Sequence, residues 1–199
     1  MLTLFDSTGA VLASNDDWNE QDPAAIATGL APTDPLESML IATLPAGAYT
    51  AILETKDAPG VALFELYQLG NTASGVANLS TRGRVGLADD VMIAGFILTG
   101  DLATRVIVRA IGPSLSQAGI SQPLANPELE LYDGNGSLIF RNDDWRSDQE
   151  THIVQSGLAP SAEQESAIIV TLPAGNYSAV VRGVGGTEGV ALVEIYALE

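Results

Sequence analysis

Two short acidic motifs are the residues of this chain best suited to binding a cation. The tetrapeptide Asn-Asp-Asp-Trp occurs twice, at residues 15–18 and 142–145, each time directly after a strand-like run. Each copy offers an amide oxygen and two carboxylates, and calcium prefers oxygen ligands, about six to eight of them. The sequence therefore predicts two calcium sites, each needing further oxygens from acids or backbone carbonyls nearby. The predicted ligands are Asn15, Asp16, Asp17, Asn142, Asp143 and Asp144, with Asp6, Glu37, Asp133 and Glu165 as supplementary donors.

The same motif has a purely structural interpretation. Asn and Asp side chains bind backbone groups in turns, and a following Trp closes the end of a core. The motif also lacks the fixed-interval acids of an EF-hand loop. Calcium binding and turn capping both remain open at this point.

The aromatic residues could form a platform on which sugar rings stack, because their faces are apolar and their edges polar. Most of the tyrosines lie inside strand-like runs, which favours packing within the protein instead. The residues concerned are Trp18, Tyr49, Tyr67, Tyr132, Trp145, Tyr177 and Tyr196.

Residues for catalysis are few, and we predict that the chain is not an enzyme. The single histidine, His152, has no repeated acid–base partner. Ser114 follows Gly112 and Pro113 but lacks the second glycine of a nucleophile elbow. A glycosidase pair of carboxylates stays open, since the separation of two carboxylates is a three-dimensional property.

Charge narrows the range of partners. The 199 residues carry 25 Asp and Glu against 8 Lys and Arg, a formal charge of −17. Such a chain repels polyanions, so we expect neither nucleic acid nor an anionic membrane surface as its partner. Residues 71–128 are balanced, with four acids and four bases, and could dock the acidic face of a neighbouring subunit. The bases of this strip are Arg82, Arg84, Arg105 and Arg109.

An internal repeat organises the chain, since residues 2–69 recur as residues 129–198. Short runs rich in Val, Ile, Leu, Tyr and Thr, separated by turn residues, predict five antiparallel strands per copy. In the first copy the predicted strands are residues 2–5, 10–14, 38–44, 48–54 and 61–68. Helix content is expected to be small, and residues 23–28 and 150–155 are each compatible with a helical turn.

The middle segment has no second copy, and its three strand-like runs are expected to pair with the repeat that follows. We therefore predict an all-β chain of two antiparallel β-sandwich, jelly-roll-like units in tandem, the first incomplete. The predicted division is a partial repeat at residues 1–70, a linker at 71–77 and a complete repeat at 78–199. A sandwich without its opening strands leaves an open edge and an uncovered apolar face, which another chain could complete.

Several motifs carry a resemblance to a known class of domain. They are Asn-Leu-Ser-Thr-Arg-Gly at 78–83, Ile-Ala-Gly-Phe at 93–96, Arg-Ala-Ile-Gly-Pro-Ser-Leu at 109–115, and the repeated Asn-Asp-Asp-Trp, Gly-Leu-Ala-Pro and Thr-Leu-Pro-Ala-Gly. Together they resemble a tandem β-sandwich repeat of large secreted or surface-anchored bacterial proteins, akin to bacterial pre-peptidase C-terminal domains.

The resemblance implies a non-catalytic module located outside the cell or on its surface. We expect a structural or adhesive role, stiffened by calcium and self-assembling into a fibre or surface layer, with itself or a neighbouring repeat as partner. The alternative is a carbohydrate-binding module of a secreted enzyme, with glycans as partners. The start of the chain lacks a basic segment followed by an apolar one, so an export signal has been removed or the chain is a piece of a longer one. No apolar run reaches the roughly 18 residues that a membrane helix needs.

Overall fold

A computed structural model describes residues 1–56, 58–70 and 76–198, and over these residues the chain is almost entirely β-structure. It has eleven strands in three antiparallel sheets within that part of the chain, together with short helical segments. The predicted all-β class is confirmed. No helix in the described ranges is long and apolar enough to cross a membrane. The chain divides into two compact units, residues 1–75 and 76–199.

The second unit is a sandwich of two four-stranded sheets. One sheet has the order β5-β10-β7-β8 and the other the order β4-β11-β6-β9. Its strands are β4 (Asn78–Val85), β5 (Met92–Leu98), β6 (Thr104–Ile111), β7 (Pro127–Asp133), β8 (Leu138–Asn142), β9 (Ser166–Leu172), β10 (Gly175–Gly183) and β11 (Gly189–Leu198).

Alternating side chains of these strands build the core of the second unit. Leu129 and Leu131 of one sheet face Val106, Val108 and Ala110 of the other, and all five are buried in one apolar cluster. The two faces meet because side chains two residues apart point to the same side of a strand. Strand β6 is also buried on its outer face, where a smaller cluster covers it. That cluster consists of Ile107, Trp145, Ile153, Ala167 and Ile169.

Over its described residues, the first unit contains one three-stranded sheet in the order β2-β1-β3. Its strands are β1 (Leu2–Phe5), β2 (Val11–Asn15) and β3 (Thr50–Leu53). By the sequence repeat, β1 corresponds to β7, β2 to β8 and β3 to β10 of the second unit, and the spatial order β2-β1-β3 matches β8-β7-β10. The first unit therefore reproduces one sheet of the sandwich without that sheet's β5 edge.

Two predicted strands of the first copy are wrong. Residues 38–44 and 61–68 carry strand-like sequences, yet both segments lie outside any strand. Their counterparts β9 and β11 lie on either side of β6, and β9 pairs with β6 alone. The first copy has no β6 sequence, so its two segments lack the strand that would pair with both.

The remaining secondary-structure expectations agree with the structure. All three strands of the middle segment form, and they pair with β9, β10 and β11 of the following repeat. Short helices occur at α1 (Pro23–Thr28) and α2 (Glu150–Gln155), as expected. Two 3-10 segments, Pro113–Ala118 and Val184–Gly186, form in addition. Of the predicted linker at 71–77, residues 71–75 lie outside the described residues.

Candidate functional site

The second Asn-Asp-Asp-Trp motif begins where strand β8 ends. The amide of Asn142 is buried there, and Nδ2 donates to the backbone oxygen of Asp144 at 3.1 Å. Its Oδ1 accepts a hydrogen bond from the backbone N–H of Ala167 at 3.0 Å. The amide thus holds its own turn and joins it to strand β9 of the opposite sheet.

Trp145 makes a second connection between this loop and the chain before β9. Its backbone N–H donates to the oxygen of Glu165 at 2.8 Å, and its indole Nε1 donates to the oxygen of Ala162 at 3.1 Å. The hydroxyl of Ser166 donates to the oxygen of Asp143 at 2.6 Å. We call these contacts, together with the two Asn142 bonds, the loop staple.

The first copy repeats the loop staple bond for bond. Asn15 donates to the oxygen of Asp17 at 3.0 Å and accepts from the N–H of Met39 at 2.8 Å. Trp18 donates its backbone N–H to the oxygen of Glu37 at 2.8 Å and its indole N–H to that of Asp34 at 3.1 Å. Both Asn side chains therefore use their amide groups to bind backbone atoms.

The carboxylates of the motif have different surroundings in the two copies. Asp16 forms an ion pair with Lys56, while Asp17 and Asp144 are exposed. Asp143 is half-buried, and its Oδ1 has no hydrogen-bond partner among the residues that the structure describes. Burial raises the pKa of Asp143, and the neighbouring charges of Asp144 and Glu128 raise that pKa further.

The supplementary acids Asp6 and Asp133 are not brought to these motifs. Each lies in a hairpin turn, where Asp6 accepts from the N–H groups of Thr8 and Ala10. Asp133 accepts in the same way from Asn135 and Ser137. The pKa of Asp6 is lowered by a hydrogen bond from the Thr8 hydroxyl and then by the N–H groups of Ala10 and Thr8, and the pKa of Asp133 is lowered by the N–H groups of Ser137 and Asn135. In the second unit the turn of Asp133 and the residue Asn142 lie at opposite ends of the β7–β8 hairpin.

Calcium binding at the motifs stays a prediction. Within the described ranges, no three or more His, Cys, Asp or Glu side chains are grouped so as to hold a metal ion. The amide groups of Asn15 and Asn142 already make the hydrogen bonds of the loop staple. Any bound cation would have to rely on the paired aspartates and on backbone oxygens.

Glu165 has a larger structural role than its sequence suggested. It is fully buried, and its carboxylate accepts from the N–H groups of Gly112 and Ser114 at 3.2 and 3.0 Å and from the Ser114 hydroxyl. The other oxygen accepts from the N–H of Ala162 at 3.0 Å. Four donors satisfy a buried charge that would otherwise be costly. Ser114, considered above as a nucleophile, is thus an anchor for Glu165.

The equivalent residue of the first copy, Glu37, is exposed. Its side chain has no hydrogen-bond partner among the described residues, although its backbone makes the same bond to Trp18. The difference follows from the sequence, because the first copy contains no Gly-Pro-Ser segment. The sequence contained one hint of this role: the glutamate occurs in both copies, whereas the Gly-Pro-Ser segment that binds it occurs once.

Two of the four arginines in the predicted basic strip have partners within the second unit. Arg109 pairs with the buried Glu194, donates to the oxygen of Leu158 at 2.7 Å, and stacks on the ring of Tyr196 with 5.3 Å to its centroid. Arg84 pairs with Glu188 at 3.0 Å. Strand β11 separates the two strands that carry these arginines. The strip is therefore not one continuous basic surface.

The aromatic residues of the second unit mostly pack inside it. Trp145 and Tyr177 are buried, and the ring of Tyr177 stacks on Phe96 at 5.4 Å between centroids. The hydroxyl of Tyr177 donates to the oxygen of Pro173 at 2.9 Å, and in the first copy Tyr49 bonds Pro45 in the same way at 2.8 Å. These contacts favour packing over a sugar-stacking platform.

Comparison with known proteins shows a likeness at the level of structure. No family model matches the chain, and no curated protein matches it. Among solved structures, it is similar to the pre-peptidase C-terminal domain of a collagenase from Bacillus anthracis, with 10% sequence identity and a TM-score of 0.38. The match covers 59% of this chain and 88% of that domain.

Proposed function

We propose that this chain is a non-catalytic structural or adhesive repeat module that works outside the cell and associates with itself or with neighbouring repeats. The observation that supports this most directly is the loop staple, which occurs in both copies with the same donors and acceptors. Its polar groups brace one segment of the unit against another. A repeated brace of this kind suits a protein whose task is to keep its shape.

The groups considered for catalysis support the same proposal. The Ser114 hydroxyl is bonded to Glu165, and the carboxylate of Glu165 is saturated by its donors. His152 is exposed on helix α2. Ser114 does lie beside the Glu165 carboxylate, but three backbone N–H donors also hold that carboxylate. Among the described residues no hydrogen bond joins the side chain of His152 to either of them, so a nucleophile with a histidine base is not assembled.

Self-association is proposed from the apolar surface of the first unit. Soluble monomers seldom expose large contiguous apolar patches, and such patches commonly mark interaction sites. In residues 60–70 the side chains of Val61, Leu63 and Leu66 are well exposed. Burying them against another subunit would be favourable by roughly 25 cal/mol for each Å² of apolar area.

Sedimentation velocity of the full chain over a concentration series tests this proposal. We expect larger species at higher concentration, and we expect Leu66→Asp to abolish them. Leu102→Asp, at an even more exposed position in the second unit, should leave them unchanged. A single small species at every concentration would contradict self-association, and glycan binding by that species would point to the carbohydrate-binding alternative.

Repeating the series with millimolar calcium and with chelator tests the calcium prediction separately. If the larger species form with calcium and disappear in chelator, the result would connect association with the Asn-Asp-Asp-Trp motifs. If the same larger species form in both buffers, the modules associate without calcium.

A further inference from the structure

We infer that the first unit is a receptor for a strand segment with the sequence pattern of residues 104–118, a strand with a central arginine followed by Gly-Pro-Ser. This inference rests on the structural role proposed above, because it specifies the segment that would join modules. The second unit already contains such a segment in place, and the first unit has kept the residues that contact it.

In the second unit this segment is the centre of one sheet. Strand β6 lies between β11 and β9 and pairs with both along most of its length. Val106, Val108 and Ala110 are buried in the sandwich core, whereas Ile107 is buried beside Trp145 on the outer side. Without this strand, β9 and β11 would each lose a full row of backbone hydrogen bonds.

Two polar anchors fix the register of the segment. The guanidinium of Arg109 is bound by Glu194, by the oxygen of Leu158 and by the ring of Tyr196. Five residues later, Ser114 and the backbone of Gly112 donate to Glu165. Both anchors use a carboxylate of the receiving repeat, and such charge-assisted bonds are strong and directional.

The first unit has the same anchoring residues in its own sequence. Glu65 and Tyr67 correspond to Glu194 and Tyr196, and Glu37 corresponds to Glu165. The Tyr67 hydroxyl donates to Glu65 at 2.9 Å, as the Tyr196 hydroxyl does to Glu194 at 2.9 Å. The acidic half of each anchor is therefore present, and the basic and hydroxyl halves belong to a segment that the first copy lacks.

Apolar side chains of the first unit are exposed where their counterparts are covered. Leu66 is 57% exposed, whereas Ile195 at the same position of the repeat is 7% exposed. Ile41 and Leu44 are 43% and 40% exposed, against 5% and 4% for Ile169 and Leu172. These side chains belong to the two segments that have no strand partner. The apolar surface and the unpaired backbone thus coincide.

The charges of the first unit also favour binding of a segment like residues 104–118. Residues 1–70 contain ten acids and one base, and residues 104–118 contain two arginines and no acid. Among the described residues neither Glu37 nor Glu65 forms an ion pair, so this acidic receptor selects a basic strand over an acidic one. Addition of an extended segment to unpaired strands is an established mode of recognition, in which backbone bonds give affinity and side-chain pockets give specificity.

The decisive experiment supplies the missing segment within the chain itself. A duplicate of residues 76–127 is placed directly before residue 1, which reproduces the spacing found in the second unit. Hydrogen exchange by mass spectrometry should show slowing of at least about tenfold at residues 38–44 and 60–69, with residues 166–198 as protected as before.

The matched control carries Val106→Asp and Val108→Asp in the duplicate only, so that the inserted strand cannot enter a core. We expect no added protection from this insert. Unchanged exchange in the first unit with the intact duplicate, or equal protection with the control insert, would overturn the inference.

A peptide of residues 104–118 tests the anchors on the unextended chain. We expect it to bind, and we expect the double substitution Glu37→Gln with Glu65→Gln to weaken binding at least about tenfold, because two charged acceptors are lost. Glu20→Gln, an exposed acid of the same unit, should leave the affinity unchanged. Absence of binding, or equal affinity for all three proteins, would contradict the proposed anchors.

The two proposals fail separately. A chain that stays monomeric, yet gains protection from the duplicate, would refute self-association and support the receptor. A chain that self-associates, yet neither binds the peptide nor responds to the duplicate, would refute the receptor and leave self-association supported.

Discussion

At the scale of single residues, Glu37 and Glu165 show how surroundings determine what one carboxylate contributes. Both follow a Gly-Leu-Ala-Pro motif, precede a serine, and accept a backbone hydrogen bond from tryptophan. Only Glu165 is enclosed by donors from a Gly-Pro-Ser turn. The same residue of the repeat is thus a buried brace in one copy and an exposed acid in the other.

Glu165→Ala should therefore lower the free energy of unfolding of the second unit by about 3 kcal/mol, since it leaves several buried donors unpaired. Glu37→Ala should change stability by less than about 0.5 kcal/mol. Urea unfolding in a Trp18→Phe background, in which Trp145 reports on the second unit, measures the first effect. Equal effects of the two substitutions would contradict this account of Glu165.

Asn142→Asp separates the two interpretations of the Asn-Asp-Asp-Trp motif. The substitution removes the N–H donor to Asp144 and places a charge beside that carbonyl oxygen, so the loop staple predicts a loss of about 2 kcal/mol in unfolding free energy. A calcium site would instead gain a ligand and bind calcium more tightly. Urea unfolding and calorimetry at millimolar calcium, with Asn15→Asp as the matched variant, distinguish the outcomes.

Asp143 gives a prediction about pH. Because burial raises its pKa in the folded state, its ionisation favours the unfolded chain, and this destabilisation is present above the folded-state pKa and lost below 3.8. Asp143→Asn should therefore stabilise the second unit at pH 7, and the gain should vanish near pH 3. Asp144→Asn, at an exposed position, is the control. A gain that is independent of pH would exclude this origin.

At the scale of elements, the central position of β6 explains the difference between the two copies. Strands β9 and β11 are not adjacent in the sheet, because β6 lies between them and pairs with both. The corresponding segments of the first copy have apolar, strand-like sequences and remain unpaired. Strand propensity alone does not make a strand, because the backbone hydrogen bonds need a partner.

Hydrogen exchange of the unmodified chain should reflect this difference directly. We expect residues 38–44 and 60–69 to exchange at least about a hundredfold faster than residues 166–172 and 189–198, since the first set lacks ladder hydrogen bonds. Equal protection of the repeated segments in dilute solution would mean that another strand already pairs with them.

At the scale of the whole molecule, the chain combines a complete sandwich with a partial one. The complete unit has two sheets that bury each other, whereas the described residues of the first unit form one sheet and no second sheet packs on it. Stable domains need at least two packed layers around a core. The two units should therefore differ strongly in stability.

Thermal unfolding should accordingly show two transitions, the first unit melting at lower temperature than the second. The reason is that the first unit buries less apolar surface for each residue that it orders. Fluorescence of Trp18 and Trp145, observed separately in Trp145→Phe and Trp18→Phe variants, assigns the transitions. One coincident transition for both reporters would contradict this expectation.

Much of the fold was predictable from local patterns. Alternating apolar residues and turn residues located the strands of the middle segment and of the second copy, because strand period and turn chemistry are local properties. The repeat itself predicted two related units, with the first lacking its opening strands. The clustering of acids in both copies was likewise visible from the residues alone.

The tertiary structure alone determined which strand segments pair and which side chains are bound or buried. Residues 38–44 read as a strand, yet their pairing depends on a segment that occurs only once in the chain. Arg109 looked like part of a basic surface, yet it is bound to Glu194, 85 residues away. The burial of Glu165 and the bonds of Asn142 depend on contacts of the same long-range kind. Local sequence determines the propensity of a segment to form a strand or a turn. The partner of a strand and the burial of a side chain depend on contacts with distant segments of the chain.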